Sequence, residues 1–211
     1  MSRDRILHRV RTGLGRGAGQ AIPDPPSARI RIPEVDMETR ISTMRARIEA
    51  LAGKTCRTAT ATEARDYVRA AIEGKTAVAS NAPYLEECGI LNLPNVRTGI
   101  TSRDELRDLC ATTDIGITSA DYVLADTGSL VMLSSPQEAR LVSLLPPMHL
   151  AVVPRHRILT GLDELFSLLP RPAEQTSCMV LITGPSRTAD IEQILVRGVH
   201  GPGEITVVIV G

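Results

Sequence analysis

From residue 35 onward, short apolar stretches alternate with amphipathic helical patterns. The apolar stretches predict strands over residues 76–80, 115–118, 129–133, 149–153, 177–183 and 205–210. Helices are predicted over residues 36–51, 60–73, 83–88, 102–110, 138–145, 162–169 and 186–197, and Thr60 and Ser102 are the caps expected for two of them. Because strands that are separated by helices can run parallel, this order predicts an α/β domain over residues 35–211, with a mostly parallel sheet covered by helices.

The first 34 residues differ from the rest and predict a separate arm. Residues 2–14 form an amphipathic helical pattern, in which Ile6, Leu7, Val10 and Leu14 make an apolar stripe between arginines. Glycines and prolines follow, and they predict an extended linker up to residue 34. Such a helix packs against its own protein or oligomer, docks on a partner, or contacts an anionic surface. The sequence leaves these alternatives open.

The composition argues against nucleic acid and membranes as partners. Lysine and arginine, 24 together, balance 24 aspartates and glutamates, so no overall charge steers the chain to a polyanion. Aromatic residues are 2% of the chain and Trp is absent, which makes a platform for stacked bases hard to build. The apolar stretches are shorter than the about 20 residues that span a bilayer, and the amino-terminal segment lacks the apolar run of a signal peptide. We therefore expect a cytoplasmic protein.

The four cysteines, Cys56, Cys88, Cys110 and Cys178, are far apart in the sequence. Their spacing forms neither a C-x-x-C motif nor a ferredoxin-type cluster motif. Dispersed cysteines in a reducing compartment are usually free thiols. We therefore expect no metal site and no cofactor bound by this chain itself.

A segment over residues 118–129 carries two candidate catalytic carboxylates. Asp121 and Asp126 flank a short apolar stretch, and Thr127 and Gly128 follow as a turn that a ligand can approach closely. Two acids with small hydroxyls suit general-base catalysis, or recognition of a hydroxyl or amine. The alternative is that both aspartates only form turn and cap hydrogen bonds.

A second segment, residues 178–192, predicts an anion site. A predicted strand leads into a Gly-Pro turn, and the next helix is predicted to begin at Ser186. The unpaired N–H groups at a helix amino terminus attract anions, and Arg187 adds a positive charge. The alternative is a helix capped by its own acidic residues. The candidate ligand-binding residues are Gly184, Pro185, Ser186, Arg187, Thr188 and Asp190.

Four further residues are isolated candidates. Glu138 is a possible catalytic acid, and Arg140 is a possible clamp for a carboxylate or phosphate, unless both serve only the structure. His200 lies in a glycine-rich loop beside Gly201, where it is a possible acid, base or ligand contact. A histidine in an ordinary loop is the alternative.

Four segments resemble characteristic motifs of the LUD domain family, and they occur in the same order as in that family. They are residues 114–128, residues 143–149 (Ser-Leu-Leu-Pro-Pro-Met-His), residues 183–192 (Thr-Gly-Pro-Ser-Arg-Thr-Ala-Asp-Ile-Glu) and residues 198–202 (Gly-Val-His-Gly-Pro). The amino-terminal helix and its Pro-rich linker are similar to those of the lactate-utilization protein C group of that family.

This resemblance implies a fold similar to that of glucosamine-phosphate deaminases, ribose-phosphate isomerases and CoA transferases. It also implies a role in the bacterial oxidation of L-lactate to pyruvate, as a non-redox subunit beside two partner proteins that carry iron–sulfur clusters. We expect this subunit to bind a small anionic ligand. By fold analogy, the alternative is a stand-alone enzyme acting on a sugar phosphate or an acyl-CoA.

Overall fold

The computed structural model describes residues 2–17, 20–21, 32–189 and 195–211. The chain divides into two compact units, residues 1–31 and residues 32–211. The first unit contains helix α1 (Arg3–Gly13), whose cap is Ser2, because the Ser2 hydroxyl accepts a hydrogen bond from the Arg5 amide. The helix predicted over residues 2–14 is therefore present, and its residues Ile6, Val10 and Leu14 are exposed.

The second unit contains the remaining elements. Its helices are α2 (Met37–Ala50), α3 (Ala61–Ala71), α4 (Pro83–Glu87), α5 (Arg103–Thr112), α6 (Arg140–Leu144) and α7 (Leu162–Leu168). Its strands are β1 (Lys54–Thr58), β2 (Ala77–Ala79), β3 (Val96–Arg97), β4 (Ile115–Thr118), β5 (Tyr122–Leu124), β6 (Ser129–Leu133), β7 (Met148–Pro154), β8 (Ile158–Leu159), β9 (Met179–Ile182), β10 (Arg187–Ala189), β11 (Leu195–Arg197) and β12 (Glu204–Val210). The expected caps are confirmed, because the Thr60 and Ser102 hydroxyls accept hydrogen bonds from the Glu63 and Glu105 amides.

Six strands form a parallel sheet in the order β1-β12-β7-β4-β2-β3. This confirms the predicted α/β fold with a mostly parallel sheet. Successive residues of the central strands point to opposite faces, so Val208 packs with α3 and α4, while Val207 and Ile209 pack with α2. Both faces of the sheet are thus buried, as expected for parallel strands.

A second sheet, with the order β8-β5-β6-β9, was not predicted as a separate layer. In this sheet β5 runs antiparallel to β6 and parallel to β8, and β6 runs antiparallel to β9. Val123 of β5 and Leu130 of β6 share a buried cluster with Ile41 and Ile48 of α2. One face of the parallel sheet is therefore covered by α2 together with a β layer rather than by helices alone.

The helix predicted over residues 186–197 is wrong, because β10 and β11 form an antiparallel pair there. A helix that starts at Ser186 needs the Ser186 carbonyl to accept from the amide four residues later. That carbonyl instead accepts from the Gly198 amide at 3.1 Å, and the Ser186 amide donates to the Pro202 carbonyl at 2.8 Å. These long-range hydrogen bonds prevent a helix from beginning at Ser186.

Helix α6 crosses β4 so closely that position 116 has room for a hydrogen but not for a methyl group. A Cβ atom on Gly116 would lie 1.9 Å from the carbonyl oxygen of Val142 in α6. Val142 in turn packs with Val78 of β2 and Cys110 of α5. This close approach fixes the position of α6, which begins two residues after Glu138.

His149 on β7 is the most deeply buried titratable group of the parallel sheet among the described residues. Its side chain is 1% exposed, and its Nε2 lies 2.8 Å from the Thr118 hydroxyl of β4. Burial lowers the pKa of His149 from 6.5 to about 4.

Below pH 6.5 His149 is protonated in the unfolded chain but not in the folded protein. The free energy of unfolding therefore falls as the pH drops towards 4. Relative to His149→Gln, we expect the wild-type protein to lose roughly 3 kcal/mol of unfolding free energy across this window. Urea unfolding of both proteins at pH 7 and pH 4.5 measures the difference. If the unfolding free energies of the two proteins depend equally on pH, the pKa of His149 is not lowered in the folded protein.

Within the described ranges, no helix combines the length and the apolarity that crossing a bilayer requires.

Candidate functional site

The order of the parallel strands creates a crevice between β2 and β4. These two strands are neighbours, but the chain leaves β2 towards β3 on one side and reaches β7 on the other side of β4. Loops that leave neighbouring strands in opposite directions open a crevice at the carboxyl ends of the strands, where α/β proteins bind ligands.

A cavity of about 310 Å³ lies at this point. We call it the switch-point cavity; the side chains that define it here are Tyr84, Ser119, Asp121, Glu138, His156 and Arg157. Tyr84 follows β2, Ser119 follows β4, and His156 and Arg157 follow β7, so three neighbouring strands deliver these groups. Asp121 and Glu138 are both candidate residues from the sequence, and they line the same cavity.

Glu138 is the most unusual group of the cavity. Its side chain is 6% exposed, and its Oε2 accepts a hydrogen bond from the Ser80 hydroxyl at 2.9 Å. Its Oε1 is buried without a hydrogen-bond partner among the described residues. Burial raises the pKa of Glu138 to about 8 and the nearby Asp121 carboxylate adds to this effect, while the Ser80 hydroxyl, the Ser119 amide and the Arg157 charge oppose it. At neutral pH this carboxyl group is therefore mostly protonated.

Asp121 lines the same cavity and is half-buried. Its Oδ2 accepts a hydrogen bond from the Leu133 amide at 2.7 Å, which fixes the carboxylate against β6. Burial raises the pKa of Asp121, while the Leu133 amide and the Arg157 charge lower it. Two carboxyl groups with different environments thus face one cation, which is a frequent arrangement at functional sites.

Arg157 is that cation, and the sequence analysis did not single it out. It ends a 3₁₀ turn (Arg155–Arg157) directly after β7. Its Nη1 donates hydrogen bonds to the Ser119 hydroxyl at 3.3 Å and to the Ala120 carbonyl at 3.1 Å. The guanidinium also lies over the Tyr84 ring, 5.7 Å from its centroid, at cation–π distance. Because its position depends on the order of the strands, no local sequence signal marks it.

Asp126, Thr127 and Gly128 lie away from this cavity. The Asp126 carboxylate faces the start of α7, where a Cβ on Gly161 would lie 2.5 Å from its Oδ2. Gly128 has a φ of 70° and packs against α2. A Cβ at this position would lie 2.9 Å from Cγ1 of Ile48, which is too close for any side chain. Thr127 accepts a hydrogen bond from the Ser129 hydroxyl at 2.8 Å. These contacts belong to the turn between β5 and β6.

The candidate anion site after β9 has a different geometry from the one expected. Gly184 packs against Leu51 at the end of α2, and the Arg187 guanidinium donates a hydrogen bond to the Leu51 carbonyl. A cation at this position complements the negative end of the α2 dipole. Since no helix begins at Ser186, the physical reason for an anion site there is lost. Ligand binding by Gly184, Pro185, Ser186, Arg187 and Thr188 stays a prediction, and Asp190 lies outside the described residues.

The remaining candidates also lie elsewhere. His200 is exposed, and Gly201 lies close to Ser186. Arg140 donates a hydrogen bond to the Cys178 sulfur at 3.4 Å and lines a separate groove with Arg103 and Arg107.

The four cysteines are free thiols. In the part of the chain that the structure describes, no three His, Cys, Asp or Glu side chains are grouped as metal ligands.

The fold and the cavity define an α/β domain with a polar, partly charged cavity at the switch point of its parallel sheet. The model of the LUD domain matches residues 41–210, so the chain belongs to the LUD domain family. The resemblance found from the sequence motifs is thereby confirmed.

The chain is similar to lactate utilization proteins of two bacteria. Lactate utilization protein C of Halalkalibacterium halodurans is 34% identical over 148 residues, which cover 66% of this chain and 64% of the relative. Lactate utilization protein C 1 of Bacillus mycoides is 32% identical over 147 residues, covering 64% of this chain and 63% of the relative. The chain thus spans just under two thirds of the length of these relatives.

A solved structure supports the fold. The crystal structure of a DUF162 family protein from Deinococcus radiodurans superposes with a TM-score of 0.63 and 17% sequence identity. The match covers 84% of this chain and all of that one. At this identity the similarity concerns the fold alone.

Proposed function

We propose that this chain is the non-redox, ligand-binding subunit of a bacterial L-lactate utilization system. It acts beside two iron–sulfur proteins, which take up the electrons released when L-lactate is oxidised to pyruvate. The chain itself carries no cofactor, works in the cytoplasm, and binds a small anionic ligand in the switch-point cavity. The names of its relatives support the first part of this proposal.

One observation carries the ligand-binding part. Glu138 is buried beside Arg157 in a cavity, and its Oε1 has no partner among the described residues. A buried polar atom without a partner costs about 1–3 kcal/mol, and such costs are found where a ligand supplies the missing contact. The cavity also lies where α/β folds hold their ligands.

Growth on L-lactate tests the proposal. We expect deletion of the gene to abolish growth on L-lactate as sole carbon source while growth on glucose continues. The wild-type gene restores growth, whereas Arg157→Gln does not, because it removes the cation of the cavity. Arg97→Gln is the matched control, since Arg97 is an exposed arginine on β3 outside the cavity, and it restores growth fully.

Two results would overturn the proposal separately. Normal growth of the deletion strain on L-lactate would remove the role in lactate utilization. Full rescue by Arg157→Gln, with a folded variant confirmed by circular dichroism, would show that the switch-point cavity is not the site that this role requires.

A further inference from the structure

The charges of the switch-point cavity limit what it can hold. Arg157 is its fixed cation, and Glu87 and Asp121 are acidic groups on the same walls. With Glu138 protonated, these three charges sum to a negative value, so an anion binds only by pairing directly with Arg157, and each further negative charge on the ligand is repelled. A dianion such as a phosphate group is repelled in this partly buried place, where solvent screens charges weakly. A monoanion needs only the one cation that the cavity offers.

We infer that the switch-point cavity binds a monocarboxylate rather than a phosphate ester, with one ligand oxygen paired to Arg157 and the other accepting a hydrogen bond from protonated Glu138. The ligand and Glu138 then form a carboxylate–carboxylic acid pair that shares one proton. This inference rests on the proposed function for the location of the ligand.

The contacts of Glu138 determine where its proton lies. With the Ser80 hydroxyl donating to Oε2, we place the proton of the neutral carboxyl group on Oε1. Oε1 is the buried atom without a partner among the described residues, so it presents an unused O–H donor. Burial raises the pKa of Glu138 to about 8, which keeps this donor protonated at neutral pH. A hydrogen bond from a carboxylic acid to a carboxylate is short and strong.

The contacts of Arg157 leave part of its guanidinium for the ligand. Ser119 and Ala120 both accept from Nη1, and the Tyr84 ring supports the face of the group. These hydrogen bonds do not use Nη2 or Nε, whose N–H groups form the planar fork that suits a carboxylate. The protein thus holds the cation in place before the ligand arrives.

Calorimetric titration of the full chain at pH 8 tests the inference, with L-lactate, pyruvate and propionate as carboxylate probes and inorganic phosphate and glucosamine 6-phosphate as phosphate probes. We expect at least one carboxylate to bind, and more tightly than either phosphate. Comparing two buffers of different ionisation enthalpy measures proton uptake, expected at about half a proton per carboxylate because Glu138 is half-protonated near pH 8. Above pH 8 the affinity falls about tenfold per pH unit as Glu138 loses its proton.

Glu138→Gln separates proton coupling from a structural role. The glutamine amide still donates a hydrogen bond, so the variant binds the carboxylate, but it takes up no proton and its affinity stays level above pH 8. The other titratable groups that face Glu138 are Tyr84, Glu87, Asp121, His156 and Arg157. His156→Gln is the matched control among them, and it keeps the proton uptake of the wild type.

Asp121→Asn tests the charge argument. The asparagine oxygen still accepts from the Leu133 amide, while the negative charge is gone. We expect phosphate to bind about tenfold more tightly to this variant than to the wild type, because one nearby repulsive charge is removed. An unchanged phosphate affinity would contradict the stated reason for selectivity.

The inference is overturned if a phosphate probe binds better than every carboxylate, if no probe binds the folded protein, or if Glu138→Gln takes up as many protons as the wild type. The inference and the proposed function can each hold without the other. Proton-coupled carboxylate binding together with normal growth of the deletion strain would leave the site intact and remove the role in lactate utilization.

Discussion

Glu138→Gln is expected to make the protein more stable than the wild type, and increasingly so as the pH rises from 4.5 to 8. Burial raises the folded pKa of Glu138 to about 8 from a model value of 4.5. In this window the folded protein holds a proton that the unfolded chain has released, so the stability that the proton contributes is lost as the pH rises. The difference reaches roughly 4 kcal/mol at pH 8.

The measurement is urea unfolding of both proteins at pH 5, 6.5 and 8, with the free energies extrapolated to zero denaturant. Glu87→Gln is the matched control, because Glu87 is an exposed glutamate on the wall of the same cavity. The unfolding free energy of Glu87→Gln should follow that of the wild type at every pH. If the curves of wild type and Glu138→Gln run parallel, Glu138 is ionised in the folded state and its part in the cavity must be reconsidered.

Gly116→Ala is expected to destabilise the protein by about 3 kcal/mol, the upper end of the usual cost of overpacking. The added Cβ would lie 1.9 Å from the Val142 carbonyl oxygen, and this neighbour is backbone that cannot rotate away. Either β4 or α6 has to move. Because Glu138 lies two residues before α6, we also expect the variant to lose the fall in stability between pH 4.5 and pH 8 that Glu138 causes in the wild type.

Gly201→Ala is the control for this substitution. A Cβ there would meet its nearest neighbour, Cβ of Ser186, at 3.5 Å, which is ordinary van der Waals contact. Thermal and urea unfolding of the two variants gives the comparison. If Gly116→Ala loses no more unfolding free energy than Gly201→Ala, α6 can move to make room for the methyl group, and it does not hold Glu138 in place.

Most of the parallel sheet could be predicted because its signals are local. The strands β4 and β7 of that sheet lie where their apolar stretches indicated, and the helix that begins after Ser102 starts at its capping residue. β1 was missed, since Lys-Thr-Cys-Arg-Thr is mostly polar and becomes a strand only by pairing with β12. β5 has three residues and depends likewise on its partners in the second sheet.

The site was predictable in part for the same reason. Asp121 and Glu138 stand out as acids beside apolar strands, but Arg157 is one arginine among many in this sequence. Its place in the cavity follows from β7 lying next to β4, which is a property of strand order and not of local sequence. Residues 187–189 and 195–197 are strands rather than parts of the predicted helix, because Ser186 is hydrogen-bonded to Gly198 and Pro202 instead of starting a helix. The expected similarity to deaminases and CoA transferases stays a prediction.

The position of β12 in the parallel sheet has a consequence for how this domain forms. β12 comes last among the described strands, yet it lies between β1 and β7, and within the described residues β1 has no other neighbour in that sheet. During synthesis β1 therefore has no partner among the described strands, and one side of β7 stays open, until residues 204–210 have been made. Such late pairing slows folding and leaves unpaired strand edges exposed, to which other chains can bind. We therefore expect the newly synthesised domain to need chaperones more than its size suggests.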